Sequence, residues 1–348
     1  MVKADAYGHG LLQVARALEA ADGFAVARLQ EALLLRRSGI RQRVLLLGTL
    51  LDQQDLACCS EQRIDVTAHD YASVDAIELQ ARHKPLRVWM KLDSGMHRMG
   101  LSPDAFVEAD RKLATHPGII ELTHMTHFSC ADNLQSGAVE RQLACFQACH
   151  QSNLGANTSV ANSAALISKP ETRMDWVRPG IMLYGDNPLA RQFQLNLRPA
   201  MTLRGRVVAI RTIRAREAVG YNERWTSTRP SRIGTIGIGY GDGYPRHAQT
   251  GTPVWVGGRI VPIVGQISMD TLGIDLSDHT GVNAGDEAVF WGAELSASTI
   301  ANHAGTISYE LFTSLTPRVT REYTTRDERR VTPQHEALRS SIRTASSL

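Results

Sequence analysis

Cysteine is scarce in this chain and cannot all be paired: five among 348 residues (Cys58, Cys59, Cys130, Cys145, Cys149), an odd number with no C-x-x-C. That argues against a disulfide framework and suits a reducing, cytoplasmic compartment. Cys145 and Cys149 fall on one face of a helical stretch beside His150, a spacing open to a metal, but buried cysteine more often serves as a small apolar residue. A charge excess is missing too. Lysine and arginine number 38 against 35 acidic residues, and a formal net charge of +3 gives no general attraction to nucleic acid or anionic membrane. Long apolar runs are also lacking: nothing approaches the roughly 20 residues that a membrane-spanning helix needs.

What is present is an ordinary globular composition, 43% hydrophobic, on a chain long enough for two domains. Short β-rich runs alternate with helical stretches through about residue 185: MVKAD (1–5), GFAVAR (23–28), RVLLLG (43–48), RIDVTA (63–68), LRVWMKLD (86–93), IIELTHMTHF (119–128), NTSVAN (157–162) and MDWVRPG (174–180). Eight strand–helix units predict a (β/α)8 barrel, with a doubly wound sheet as the competing reading of the same rhythm. After NPLARQFQLNLRPA (187–200) the pattern turns to glycine-punctuated β runs with one short helix, ASTIANHAGT. The expected organisation is an α/β barrel over 1–190, a mostly-β domain over 191–325 and a loose polar tail over 326–348.

Barrel enzymes gather their chemistry at the C-terminal ends of the strands. Those positions hold Lys3 and Tyr7, Lys91 and Arg98, His124 and His127, Asn162 and Ser163, and Arg178, Gly180 and Ile181. Carboxylates are few among them, which disfavours paired-acid hydrolysis. His124 and His127 stand three apart on a strand and face opposite sides, so they cannot chelate one ion. Trp89, Lys91 and Asp93 share a strand face. An amine, several cations, hydroxyls and glycine-bordered amides suit an anionic, ring-shaped ligand bearing a phosphate. The stretch GIGYGDGYP (237–245) is not a nucleotide loop: its glycines alternate, and Pro245 stands where a phosphate-binding helix would begin, so a tight β turn is expected.

Nine segments, in order, carry a resemblance: MVKADAYGHG, KLDSGMHRMG (91–100), MTHFSCAD (125–132), ANSAA (161–165), VRPGIMLYG (177–185), VGYNERW (219–225), GYGDGYPRH (239–247), VGQISMD (264–270) and SYEL (308–311). Together they closely resemble the alanine racemase family, fold-type III enzymes using pyridoxal 5′-phosphate (PLP), from residue 1 to about 323. The resemblance implies interconversion of L- and D-alanine by two bases, either to supply D-alanine for peptidoglycan or in alanine catabolism. A broad-specificity racemase on the same scaffold is the nearest alternative, and a non-catalytic PLP-binding regulator a more distant one. Lys3 matches the lysine that bonds covalently to PLP and acts on the D-isomer; Tyr221 matches the base for the L-isomer. Tyr7, Asn162, Ser163, Gly180, Ile181 and Tyr309 match cofactor positions, mostly around the phosphate. Arg178 matches the arginine facing the pyridine nitrogen, and His127 the residue linking it to the catalytic tyrosine. Arg98 matches a contact to the PLP ring oxygen and to substrate, Met269 an amide for the substrate carboxylate, and Tyr240 an inner gate. Lys91 matches a lysine that is often carbamylated, and no metal is implied. Tyr221 and Met269 are expected to come from the partner subunit of a head-to-tail homodimer.

One further expectation concerns the first strand. Only Met1 and Val2 precede Lys3, against a usual strand of about five or six residues. The family's leading strand and helix have no counterpart in this sequence, and the chain as given is expected to hold PLP weakly or be poorly soluble.

Overall fold

The computed structural model describes residues 1–48, 50–189 and 195–324. The expected tail at 326–348 and the expected domain boundary at 190 lie outside the described residues. Met1–Leu315 form one compact unit, and a second begins at Thr316 with a turn in which the Val319 amide donates to the Thr316 carbonyl.

The first half is the barrel that the strand–helix rhythm predicts. Strands β1 (Gly23–Val26), β2 (Arg43–Leu46), β3 (Ile64–Ala68), β4 (Leu86–Lys91), β5 (Ile119–Met125) and β6 (Asn157–Ser159) pair in parallel in that order. All five residues of β3 are buried, as a strand covered by crossover helices on one face and by the barrel interior on the other requires. Between the strands run α1 (Lys3–Tyr7), α2 (Leu11–Ala17), α3 (Leu29–Arg37), α4 (Gln53–Glu61), α5 (Tyr71–Ala81), α6 (Pro103–Ala114), α7 (Ala138–His150) and α8 (Ser163–Ser168). Asp52, Asp70 and Ser102 accept backbone amides at the starts of α4, α5 and α6, satisfying donors a helix start leaves open.

Two of the eight expected strands are present only as single links. Trp176 bridges Ser159, the Val2 amide donates to Ala25 O at 2.9 Å, and Met1 N donates to Pro179 O at 3.0 Å. These contacts join residues 1–2 and 176–179 to the open edges of the six-stranded sheet. MVKAD does not continue as a strand because Ala4, Asp5, Ala6 and Tyr7 all take φ near +53°. Left-handed backbone costs a non-glycine residue about 1–2 kcal/mol, so this turn stores roughly 4–8 kcal/mol that its surroundings offset. Inside the barrel, Trp89 packs with Ala25, Leu45 and Met125 against Met1, Leu47 and Trp176. Arg43 joins this layer, pairing with Asp65 (2.5 Å) and Glu121 (2.6 Å) and lying over the Trp176 ring at 4.9 Å.

The second half is all antiparallel. Strands β7 (Leu203–Ile213), β8 (Ala218–Val219), β9 (Trp225–Thr226), β10 (Ser231–Ile236), β11 (Pro253–Val256), β12 (Arg259–Val264), β13 (Leu272–Asp275) and β14 (Glu287–Trp291) follow one another. Six close into a barrel in the order β10-β13-β12-β11-β14-β7, which leaves no sheet edge, while β8 and β9 form a separate two-stranded ribbon. Helices α9 (Ala297–Ala304) and α10 (Ser308–Thr313) complete this part, α9 lying within the helix expected there.

Candidate active site

The turn after Val2 aims two side chains from one short segment. Lys3 opens it and Tyr7 closes it, with Gly8 (φ +77°) ending it under the backbone of α10: a Cβ there would lie 2.0 Å from Phe312 O. The Tyr7 ring stacks on Tyr184 at 4.8 Å and meets Tyr309 of α10 at 5.7 Å. Tyr184 is itself fixed by donating its hydroxyl to Met1 O at 2.9 Å. Burial raises the Tyr7 phenol to about 12 and the Tyr309 phenol further, so both remain hydrogen-bond donors.

Opposite these hydroxyls lies Gly180, whose amide donates to Ser163 Oγ at 2.7 Å. A Cβ on Gly180 would stand 2.7 Å from the Tyr7 hydroxyl and 3.7 Å from Ser163 Oγ. Glycine here keeps open a small concavity walled by an amide and two hydroxyls. Asn162 caps α8, its Oδ1 accepting the Ala165 amide at 3.0 Å, and so fixes the start of the helix that Ser163 opens. Ile181 is fully buried and starts the turn that carries Tyr184.

Arg178 is buried, and among the described residues no carboxylate pairs with it. It donates to Ser159 Oγ (2.6 Å), to the carbonyl of Thr126 (2.5 Å) and to Nδ1 of His127 (3.5 Å). Burial lowers it to about 10, which leaves it a cation at neutral pH. Since an arginine can only donate, His127 Nδ1 is the acceptor and the ring proton sits on Nε2. Burial, then Arg178, lowers His127 to about 3, so it stays neutral. Burial and Arg98 also lower Lys3, and the same two causes bring Lys91 to about 8. Two depressed amines among arginines make a pocket for anions and for amine chemistry.

Tyr7, Ser163, Gly180 and Tyr309 are thus tied by contacts, Arg178 is joined to His127, and Lys91 lies within electrostatic reach of Lys3, Arg98 and Arg178. Tyr221, Tyr240 and Met269 form a second group. Tyr221 stands 67% exposed in the connection of the β8–β9 ribbon; Met269 and Tyr240 are also exposed. Their segments interlock: Tyr240 N donates to Ser268 O (3.0 Å), Gly241 N donates to Met269 O (2.8 Å), and a Cβ on Gly265 would meet Val219 O at 2.5 Å. Among the described residues, no hydrogen bond joins Tyr221 to the Arg178–His127 pair. The glycines around Tyr240 make the tight turn expected of them, since a Cβ on Gly239 would strike the Ser268 and Met269 carbonyls at 2.3 Å.

His124, by contrast, serves the barrel exterior. Its Nε2 meets Asp110 at 2.9 Å and its Nδ1 meets His150 at 3.1 Å, away from His127, as the opposed strand faces require. The five cysteines are free, and the described residues hold no group of three or more potential metal ligands. Tyr184, Thr126 and Ser159 were not singled out by sequence. The first lies in VRPGIMLYG and the second in MTHFSCAD, but nothing local to Ser159 marks it as an arginine partner.

An amine set among cations at the end of a parallel barrel, on a chain that continues into a β domain, has the plan of a barrel enzyme that binds an anionic ligand. Comparison with known proteins narrows this. The model for the alanine racemase N-terminal domain matches residues 1–188, and that for its C-terminal domain residues 200–323. The alanine racemase of Shewanella woodyi is 45% identical, the match covering 92% of this chain and 90% of that one. The catabolic alanine racemase of Pseudomonas putida is likewise 45% identical, over 93% and 91%. Among solved structures, the biosynthetic alanine racemase of Pseudomonas aeruginosa superposes with a TM-score of 0.90 at 43% identity, covering 93% of this chain and 91% of that one. That of Bartonella henselae, with covalently bound pyridoxal phosphate, gives 0.86 at 28% identity, over 93% and 91%. The chain belongs to the alanine racemase family.

Proposed function

We propose that this chain is a PLP-dependent alanine racemase, active in the cytoplasm as a homodimer with shared sites, its two domains spanning 1–190 and 191–325. The observation that carries the reading is the cradle of Gly180, Ser163 and Tyr7 beside the depressed Lys3 amine. Its donors fit a phosphate dianion, whose strong acceptors suit amides and hydroxyls. Tyr309 and the Ile181 amide would complete the phosphate shell. Bound there through Lys3, PLP supplies the electron-withdrawing ring that makes the Cα proton of an attached amino acid removable.

The protein's own residues then divide the work. Inverting Cα needs a proton taken from one face and returned to the other, hence two bases. Lys3 serves the D-isomer, and Tyr221, on its exposed ribbon, serves the L-isomer in the neighbouring subunit's barrel. Met269 on the adjoining loop offers its amide to the substrate carboxylate, and Tyr240 narrows the approach. Arg178, which can only donate, would leave the ring nitrogen an unprotonated acceptor, limiting how far charge flows into the ring and so favouring return of the proton over side reactions. His127 accepts from Arg178 through Nδ1 and offers Nε2–H onward to Tyr221. Arg98 holds the ring oxygen. A neutral Lys91 can take up CO₂, which would turn a repelling cation into an anion able to hold Arg98.

The test is peptide mapping after borohydride reduction of the loaded protein, together with circular dichroism on purified L- and D-alanine. PLP fixed to the peptide containing Lys3, with rotation decaying to zero from both isomers, is expected. A cofactor fixed at another lysine would refute the assignment of Lys3. A broader panel of amino acids decides the alternative of relaxed specificity.

A further inference from the structure

Glu31 occupies the third position of α3 and receives three backbone amides. Its Oε2 accepts from Ala27 and Arg28, each at 3.0 Å, which closes the start of the helix. Its Oε1 reaches 27 residues back along the chain, to the amide of Ala4 at 2.7 Å. Capping the helix needs only the first oxygen; the second is spent on the residue that follows Lys3 and begins the left-handed turn. Within the turn, Ala6 N donates to Val2 O, Gly8 N to Ala4 O, Gly10 N to Asp5 O, and Leu11 N to Asp5 Oδ1. Upstream, the Val2 amide is held by Ala25 of β1. Lys3 is therefore held from both sides by the β1–α3 unit, through Ala25 of β1 before it and Glu31 of α3 after it.

We propose that Glu31 is a positioning residue for Lys3, its carboxylate pinning the left-handed turn so that the amine is presented to the cofactor. This rests on the reading of Lys3 given above. Charge adds to the geometry. Around Lys3 stand Lys91 of β4 and Arg98 of the loop after it, neutral His127 after β5, and Arg178 after Trp176; Glu31 acts on the amine in the opposite sense to Arg98. Removing the carboxylate charge leaves the amine easier to deprotonate, so capture of PLP by the apoprotein should begin at lower pH. A helix cap alone would not move that profile.

The experiment compares apoprotein of the parent chain, Glu31→Gln, Glu31→Ala and Lys3→Ala. PLP uptake is followed by absorbance across pH, hydrogen exchange is read over residues 3–10, and melting of the apoproteins controls for folding. Glu31→Gln retains an acceptor for Ala4; it should load PLP with its rising pH limb moved down. Glu31→Ala should load at least tenfold more slowly, with faster exchange in the turn. The proposal is overturned if both variants match the parent in loading rate, pH limb and turn exchange. It is also overturned if Glu31→Ala merely melts lower while loading normally. Should Lys3→Ala itself still yield a borohydride-fixed adduct, it is the assignment of Lys3 that fails, an outcome separate from the other two.

Discussion

Gly180→Ala places a methyl where the cradle is narrowest. Its carbon would lie 2.7 Å from the Tyr7 hydroxyl, well inside contact distance, and 3.7 Å from Ser163 Oγ. The Tyr7 ring cannot retreat freely, being stacked on Tyr184 and flanked by Tyr309. A phosphate oxygen meant for this corner would therefore lose the Gly180 amide and the Tyr7 hydroxyl together. Hydrogen bonds to a charged partner contribute about 1.5–3 kcal/mol each. Allowing the phosphate to slide and recover part of this leaves a loss of about 3 kcal/mol, or about a hundredfold in dissociation constant at tenfold per 1.4 kcal/mol. The assay is titration of apoprotein with PLP by absorbance, with circular dichroism and melting of the apoprotein as fold controls. Ser163→Ala, which only removes the hydroxyl that receives the Gly180 amide, should weaken binding by about tenfold, the cost of one such bond. If Gly180→Ala folds normally and binds PLP within twofold of the parent, this corner does not hold the phosphate.

Other outcomes follow from the same geometry. Tyr221→Phe should retain PLP but lose racemisation in both directions; mixing it with Lys3→Ala subunits should restore part of the activity, and no recovery after verified subunit exchange would count against a site shared between subunits. Lys91 is lowered to about 8, so its neutral, CO₂-reactive fraction rises steeply between pH 7 and 9, well below where an exposed lysine would react; gentle mass spectrometry should show a bicarbonate-dependent CO₂ adduct growing over that interval, and none at any pH would refute carbamylation. Asp110→Asn disturbs a buried acceptor of His124, Ser152 and Asn153 and should cost about 2–3 kcal/mol of stability with PLP content unchanged, measured by denaturant titration.

The barrel was legible because strand and helix periods differ and repeat, and the six laddered strands fall within runs that the sequence marks. The two weak positions were not, for opposite reasons. MDWVRPG reads as a strand by composition, yet its ladder is a single bridge, from Trp176 to Ser159. MVKAD contains nothing that announces left-handed backbone; alanine, aspartate and tyrosine avoid it unless tertiary bonds such as that from Ala4 to Glu31 impose it. Residues proposed to act through a side chain in a distinctive motif, such as Lys3 and Tyr221, stood out. Those that act by holding another residue, such as Ser159 under Arg178 or Tyr184 behind Tyr7, need the fold to bring distant segments together and carry no local mark. His124 was distinguishable from His127 by strand parity alone.

The cations at the barrel mouth have a consequence for how fast a ligand arrives. Lys3, Lys91, Arg98 and Arg178 gather at one end of the barrel, while at Arg43 the interior pairs its positive charge with Asp65 and Glu121. A positive field at these strand ends would draw in an anionic ligand from several ångströms away. Such attraction is attenuated once the screening length falls to about 10 Å at 0.1 M salt. The rate constant for PLP association with the apoprotein should accordingly fall as ionic strength rises, while its dissociation, governed by contacts already made, changes little.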